Sequence, residues 1–232
     1  MNRLNLTVHN QNGGESALDF PVRRLLLAGF TGRNQKIAMK HVEELRAHGV
    51  EAPKKIPAFY AVPSPWVVTD SEIEVLGSQT SGEVEPVLLF SKGIAYLGVG
   101  SDHTDRELEK TSIAKSKVMC AKILARDLWK LKSVQRRWDR LLLRSWIGAG
   151  RRKKLYQEAY LKTFLPPDKL IKLARAHVRD RKLEGMAFFL GTVPIIGSGF
   201  GFASGFTGEL LDESTNRRLS FSYRIRPMGW LK

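Results

Sequence analysis

Apolar and polar residues alternate over Leu4–His9, a period of two that predicts a short strand, and Gln11–Gly14 after it reads as a turn. Arg23–Phe30 is a nearly unbroken apolar run of the kind that forms a buried strand. After Gly32 the period changes: Ile37, Ala38, Val42 and Leu45 recur at helical spacing in Gln35–His48, with Gly49 where a C-cap belongs. Pro53, Pro57, Pro63 and Pro65 then make Glu51–Pro65 an extended connector. A boundary is placed here, between a small N-terminal part at 1–53 and a main domain at 54–232. Trp66–Leu76 predicts one more strand.

The centre of the pattern is 81–117. Glu83 and Glu85 straddle one valine in strand-like sequence, so both carboxylates project from one face. Val87–Phe90, a turn at Ser91-Lys92-Gly93 and a return through Ile94–Val99 predict a hairpin that brings Ser101–Asp105 back beside them. Farther on, Leu124–Lys132 reads as a short helix, Trp138–Ile147 as a strand and Leu155–Tyr160 as its partner. Pro166-Pro167 opens a helix over Asp168–Val178, with His177 on its apolar, core-facing side. Gly185–Leu190 is another buried run, and Thr207–Leu211 with Arg217–Arg226 forms a closing hairpin. The fold class is α+β and rich in β.

Composition narrows the function. An apolar fraction of 43% over 232 residues supports a substantial core. No stretch resembles a signal peptide or spans a bilayer, and a single cysteine, Cys120, points to the reducing cytoplasm. The formal charge of +15 attracts anions. Its basic residues concentrate in Gln135–Lys154 and Lys169–Lys182 without the aromatic interleaving of RNA-binding sequences. A small anionic metabolite is therefore favoured over nucleic acid.

Two anions on one strand face repel, and a cation makes the pairing tolerable. With a third carboxylate from Asp102 or Asp105, the set of oxygens suits a hard divalent ion. A Glu-x-Glu pair is also the ordinary wet face of an antiparallel strand, and the residues alone leave both readings open.

Five segments in order reach further: Glu83-Val84-Glu85; Asp102-His103-Thr104-Asp105-Arg106; Lys115-Ser116-Lys117; Arg140–Ile147 leading to Gln157; and Gly191-Thr192-Val193-Pro194. This series resembles the fumarylacetoacetate hydrolase superfamily, in a bacterial branch without an assigned reaction. The resemblance implies a mixed β-sandwich roll with a few peripheral helices. It implies Mg2+ or Mn2+, with Ca2+ as an alternative, held by Glu83, Glu85 and Asp102, and a homodimer with Gly197–Phe206 as a candidate interface. It also implies a catalytic Lys117, with Lys115 as the alternative, and Tyr60, Gln157 and Thr192 around the substrate, while Arg106 braces the carboxylates. The implied activity is that of a hydrolase or lyase acting on a small 2-oxo or 1,3-dicarbonyl acid through a metal-stabilised enolate. The His–Glu base pair of hydrolytic members has no recognisable counterpart, and His103, next to a ligand on a strand, should face away from it. The rival is a non-enzymatic basic binding protein on the same fold, with nucleic acid as its candidate partner. Convergence of Glu83, Glu85 and Asp102 on one point separates the two.

Overall fold

A computed structural model describes residues 2–47 and 53–230. The chain passes through β1 (Asn2–His9), β2 (Glu15–Val22), β3 (Arg24–Gly29) and helix α1 (Gln35–Ala47) before β4 (Ala58–Val62). Short strands β5 (Val67–Val68), β6 (Glu72–Val75) and β7 (Thr80–Ser81) lead into a long hairpin, β8 (Val84–Ser91) and β9 (Ile94–Asp102). Then come β10 (Thr104–Asp105), α2 (Arg106–Glu109), α3 (Ile113–Val118), β11 (Lys122–Leu124), β12 (Asp127–Lys130) and α4 (Leu131–Val134). The remainder is β13 (Leu142–Ile147), β14 (Lys154–Tyr160), α5 (Pro167–His177), β15 (Met186–Phe189), β16 (Gly205–Asp212) and β17 (Arg217–Pro227). The architecture is α+β, as the pattern predicts.

The large sheet runs β2-β1-β12-β9-β8-β15-β3-β4, with β11 on β9 and β5 on β11; a second sheet runs β14-β13-β16-β17-β6. Alternation sorts the side chains of the large sheet into two cores. Leu26, Val84, Leu88, Leu97, Phe188 and Trp129 face the second sheet and α5. Leu4, Leu6, Phe20, Leu25, Leu27, Val62, Val87, Leu89, Tyr96, Leu128 and Phe189 form one cluster on the opposite face. A single cluster touching eight successive strands requires the sheet to curl, so that face is the inside of a roll.

The central hairpin closes with only Lys92 and Gly93 between Ser91 and Ile94. Both turn residues have positive φ, 51° and 74°, which matches the twist of the flanking strands. The expected boundary near residue 54 falls between two paired strands, since β3 before it pairs antiparallel with β4 after it. The N-terminal strands are thus built into the large sheet. Gly49 and His48 lie outside the described residues.

Four expectations need correction. Leu124–Lys132 is not a helix: β11 and β12 occupy most of it, because Leu128 packs inside the roll and Trp129 on the other face. Trp66–Leu76 holds two strands in different sheets, β5 on β11 and β6 on β17, so this stretch carries the chain from one layer to the other. His177 is exposed, stacking on Phe59 at 4.4 Å between ring centroids. The strand expected from Trp138 starts only at Leu142, after a 3-10 turn over Gln135–Arg140.

Gly100, two residues before Asp102, has no room for a side chain. A Cβ there would strike the carbonyl oxygen of Ile123 and come within 2.8 Å of the Phe189 ring. Gly100→Ala should therefore destabilise the fold by roughly 1–3 kcal/mol in urea unfolding; an unchanged midpoint would contradict this packing.

Candidate metal centre

Parity along the strands builds the site. Glu85 shares its face of β8 with Val87 and Leu89, and Glu83, one residue before β8, continues that face; Asp102 on β9 shares it with Tyr96 and Lys122 on β11 with Leu124. The polar cluster is thus one end of the face that farther along lines the roll. Register completes it: Val84 pairs with Ser101, Glu85 with Gly100, and Asp102 N donates to the Glu83 carbonyl at 3.0 Å. Glu83, Glu85 and Asp102 offer carboxylate oxygens that all lie within 4.8 Å of one another. Convergence, the geometry that separates the two readings, is present.

Each carboxylate is held differently. Asp102, fully buried, takes the Lys117 ammonium on Oδ2 in a short contact and the Lys122 ammonium on Oδ1 at 2.9 Å. Burial alone would raise its pKa, but Lys117 and then Lys122 outweigh burial and hold it at about 2. Glu83 pairs with Arg106 Nη2 at 3.1 Å and with Lys117 Nζ at 3.7 Å. Glu85 accepts one bond, from the Gly191 backbone N–H at 2.8 Å. Burial, followed by the Asp102 charge, pushes its pKa well above the usual carboxylate range. A buried carboxylate with so little compensation, next to two others, fits a divalent cation. The same cation would share Asp102 with its two lysines.

The paired alternatives occupy different positions in the structure. Asp105 accepts from the backbone N–H groups of Glu107 and Leu108 at 3.0 and 2.9 Å, so it caps α2 instead of joining the cluster. Lys115 is exposed, whereas Lys117 is buried and in contact with the carboxylates. Lys117 stays cationic: burial opposes the charge, but Asp102, Glu83 and Glu85 more than offset it. Among the described residues the buried Tyr60 hydroxyl has no hydrogen-bond partner, and the charges of Lys117, Glu109 and Asp102 act on it.

Gln157 is a correction. Its amide lies fully buried and accepts from Val84 N and Ser145 Oγ, both at 3.0 Å, while donating to Thr192 Oγ1 at 2.8 Å and the Val193 carbonyl at 2.6 Å. All four hydrogen-bonding positions are used, leaving none for a substrate. Thr192 also works as a brace, donating from its hydroxyl to the Val84 carbonyl at 2.9 Å. Together they clamp the Gly191 turn against the Glu-x-Glu strand. Gly191 itself has φ 96°, and a Cβ there would strike the Thr31 hydroxyl.

A family model described as a protein of unknown function, DUF2848, matches residues 28–223. The chain belongs to the DUF2848 family. Comparison with curated proteins gives no sequence match. Among solved structures, Cg1458 is similar with a TM-score of 0.64 at 12% identity, over 93% of this chain and 83% of that one. A 2-keto-3-deoxy-D-arabinonate dehydratase complexed with magnesium and 2,5-dioxopentanoate is similar with a TM-score of 0.64 at 14% identity, over 92% and 76%. The fumarylacetoacetate hydrolase-like roll implied by the motifs is the fold observed.

In this DUF2848 protein, three groups that the sequence reading missed complete the cluster. Lys122 escaped because its three-residue strand is defined only by pairing with β9 and β5. Glu109 pairs with Arg106 Nη1 at 2.6 Å, three residues along one helical turn, a spacing that could have flagged it. The Gly191 N–H carries no side-chain signal at all.

His103 does face away, as strand alternation requires. It is fully buried, with Nδ1 on the Tyr223 hydroxyl and Nε2 on the Thr80 hydroxyl, both at 2.9 Å. Burial, then the charges of Lys122 and Arg106, depress its pKa from 6.5 to about 3. Its stabilising contribution is complete above about pH 6.5 and is lost as pH falls toward 3. Relative to His103→Gln, the metal-free protein should lose up to about 1.4 kcal/mol per pH unit across that window. Parallel stability–pH curves for the two proteins would contradict the neutral buried imidazole.

Proposed function

We propose that this protein is a divalent-metal-dependent hydrolase or lyase of the fumarylacetoacetate hydrolase type, acting on a small 2-oxo or 1,3-dicarbonyl acid. The observation that carries the reading is the convergence of Glu83, Glu85 and Asp102 oxygens around an under-compensated buried carboxylate. The roll shared with a dehydratase complexed with magnesium and 2,5-dioxopentanoate supports it. Glu83, Glu85 and Asp102 would hold Mg2+ or Mn2+. When bound, the cation supplies the positive charge that stabilises an enolate next to a carboxylate.

The chain's own groups fill the other roles. The Lys117 ammonium, anchored on Asp102, meets an anionic oxygen of the acid. The Tyr60 hydroxyl, otherwise unpartnered, donates to the same ligand. Arg106 fixes Glu83 by spanning Ser81 Oγ at 2.7 Å, Glu109 and Glu83. Four carboxylates (Glu83, Glu85, Asp102, Glu109) face three cations (Arg106, Lys117, Lys122), so a divalent ion turns one excess negative charge into one positive. That balance favours an anionic substrate.

Glu85→Ala should abolish Mg2+ and Mn2+ binding in calorimetry; unchanged affinity would contradict the centre. In a thermal-shift screen, metal and a matching 2-oxo acid at about 100 times Kd should add about 2.7 kcal/mol, roughly 5–10 °C in Tm. No shift with any metal would remove the reading.

A further inference from the structure

The part of the centre nearest solvent is the Glu83–Glu109 side: their side chains are 17% and 22% exposed, against 2% for Arg106 between them. The ring of Phe200 lies over the Arg106 guanidinium, 4.2 Å from Cζ to the ring centroid. Phe200 is itself 45% exposed, so it is the layer that separates Arg106 from water at this opening. Its neighbours Ile196 and Phe202 are exposed at 49% and 46%. Three large apolar side chains are thus exposed on one segment, and Phe200, the one that lies against the charged cluster, needs an apolar partner to leave water.

The segment is held in this position. Ile196 N donates to the Tyr156 carbonyl at 2.8 Å, and Gly201 N to the Tyr156 hydroxyl at 3.2 Å. Gly201 packs so closely on Ile147 that a Cβ would collide with it. Between these anchors Gly197 and Gly199, with φ of 91° and 78°, let the chain turn outward and present Phe200.

We infer that Phe200 is a specificity-determining wall for the substrate's tail, and that the acid carries an apolar or aromatic tail. The inference rests on the metal-dependent 2-oxo-acid reading above and names the substrate class within it. The charged groups take the 2-oxo acid head, and the outer face of Phe200 takes what extends from it. A polyhydroxylated tail would leave its hydroxyls unpaired against this rim, which costs affinity.

The test is calorimetry on the full chain with saturating Mg2+, comparing 2-oxobutanoate, 2-oxo-4-phenylbutanoate and 2-oxo-4,5-dihydroxypentanoate. The phenyl acid should bind roughly 10–100-fold more tightly than 2-oxobutanoate, the effect of burying one ring. Phe200→Ala should cut that ratio to within about threefold, and Phe200→Leu, which keeps apolar bulk, should leave an intermediate ratio. Equal binding of all three acids, or tighter binding of the dihydroxy acid, overturns the tail while the metal reading stands. A ratio unchanged in Phe200→Ala overturns the role of this wall. So does a dimer in sedimentation that Phe200→Ala dissolves while the ratio persists, which assigns the segment to a second copy of the chain. Failure of every acid to bind the Mg2+-loaded protein removes both inferences together.

Discussion

Glu83, Glu85 and Asp102 repel one another across less than 5 Å, and two of them have almost no water to screen the repulsion. At an effective dielectric near 20, two unit charges at that separation cost on the order of 3–4 kcal/mol, a sizeable share of a domain's whole stability. The surrounding structure answers each charge separately. Asp102 has two lysines, Glu83 has Arg106 with Lys117 farther off, and Glu85 has one peptide N–H. The deficit is therefore concentrated at Glu85. Burial and the neighbouring Asp102 charge raise its proton affinity, and a divalent cation would offset the deficit for all three carboxylates at once.

The strand geometry makes this concentration of charge possible. One face of the curled sheet is hydrocarbon along most of its length and turns polar only at its end, where Glu83, Glu85, Asp102 and Lys122 replace Val87, Leu89, Tyr96 and Leu124. The hydrophobic interior of the roll holds the strands in register, and the register holds the carboxylates. Glu85 and Asp102 lie at the ends of β8 and β9 and Glu83 one residue before β8, so the sheet already fixes most of the torsions that bring the three carboxylates together.

What was legible in the sequence follows from how local each feature is. The Glu-x-Glu face and the Lys92-Gly93 hairpin rest on alternation and turn chemistry, both local, and both were read correctly. The choice between Asp102 and Asp105 was not local: the chain leaves β9 after Asp102, and β10 pairs with β7, which frees Asp105 to cap α2. Gln157 has the right chemistry for a substrate contact, but its burial comes from β8, 73 positions away. Lys122 was hidden for the same reason: its strand exists only through partners distant in the chain, while the apolar spacing after it also suits a helix. Sequence pattern thus located the chemistry and its strand. Which polar groups join the carboxylate cluster and which brace it was decided by packing between the two sheets.

The dipeptide Asp102-His103 ties the two together. Alternation sends Asp102 into the carboxylate cluster and His103 to the opposite face, where Tyr223 on β17 bonds both the imidazole and the Ser101 hydroxyl at 2.9 Å. Tyr223 also stacks on Phe221 and packs against Phe206, which fills the space beside Gly82, one residue before Glu83. The second sheet therefore meets the chain beside both Glu83 and Asp102, at Gly82, Ser101 and His103. A change in the Tyr223 network would shift the Glu83 and Asp102 carboxylates together. The neutral, fully satisfied His103 is thus part of the frame that sets ligand geometry, and the centre cannot be loosened without loosening the sheet-to-sheet core.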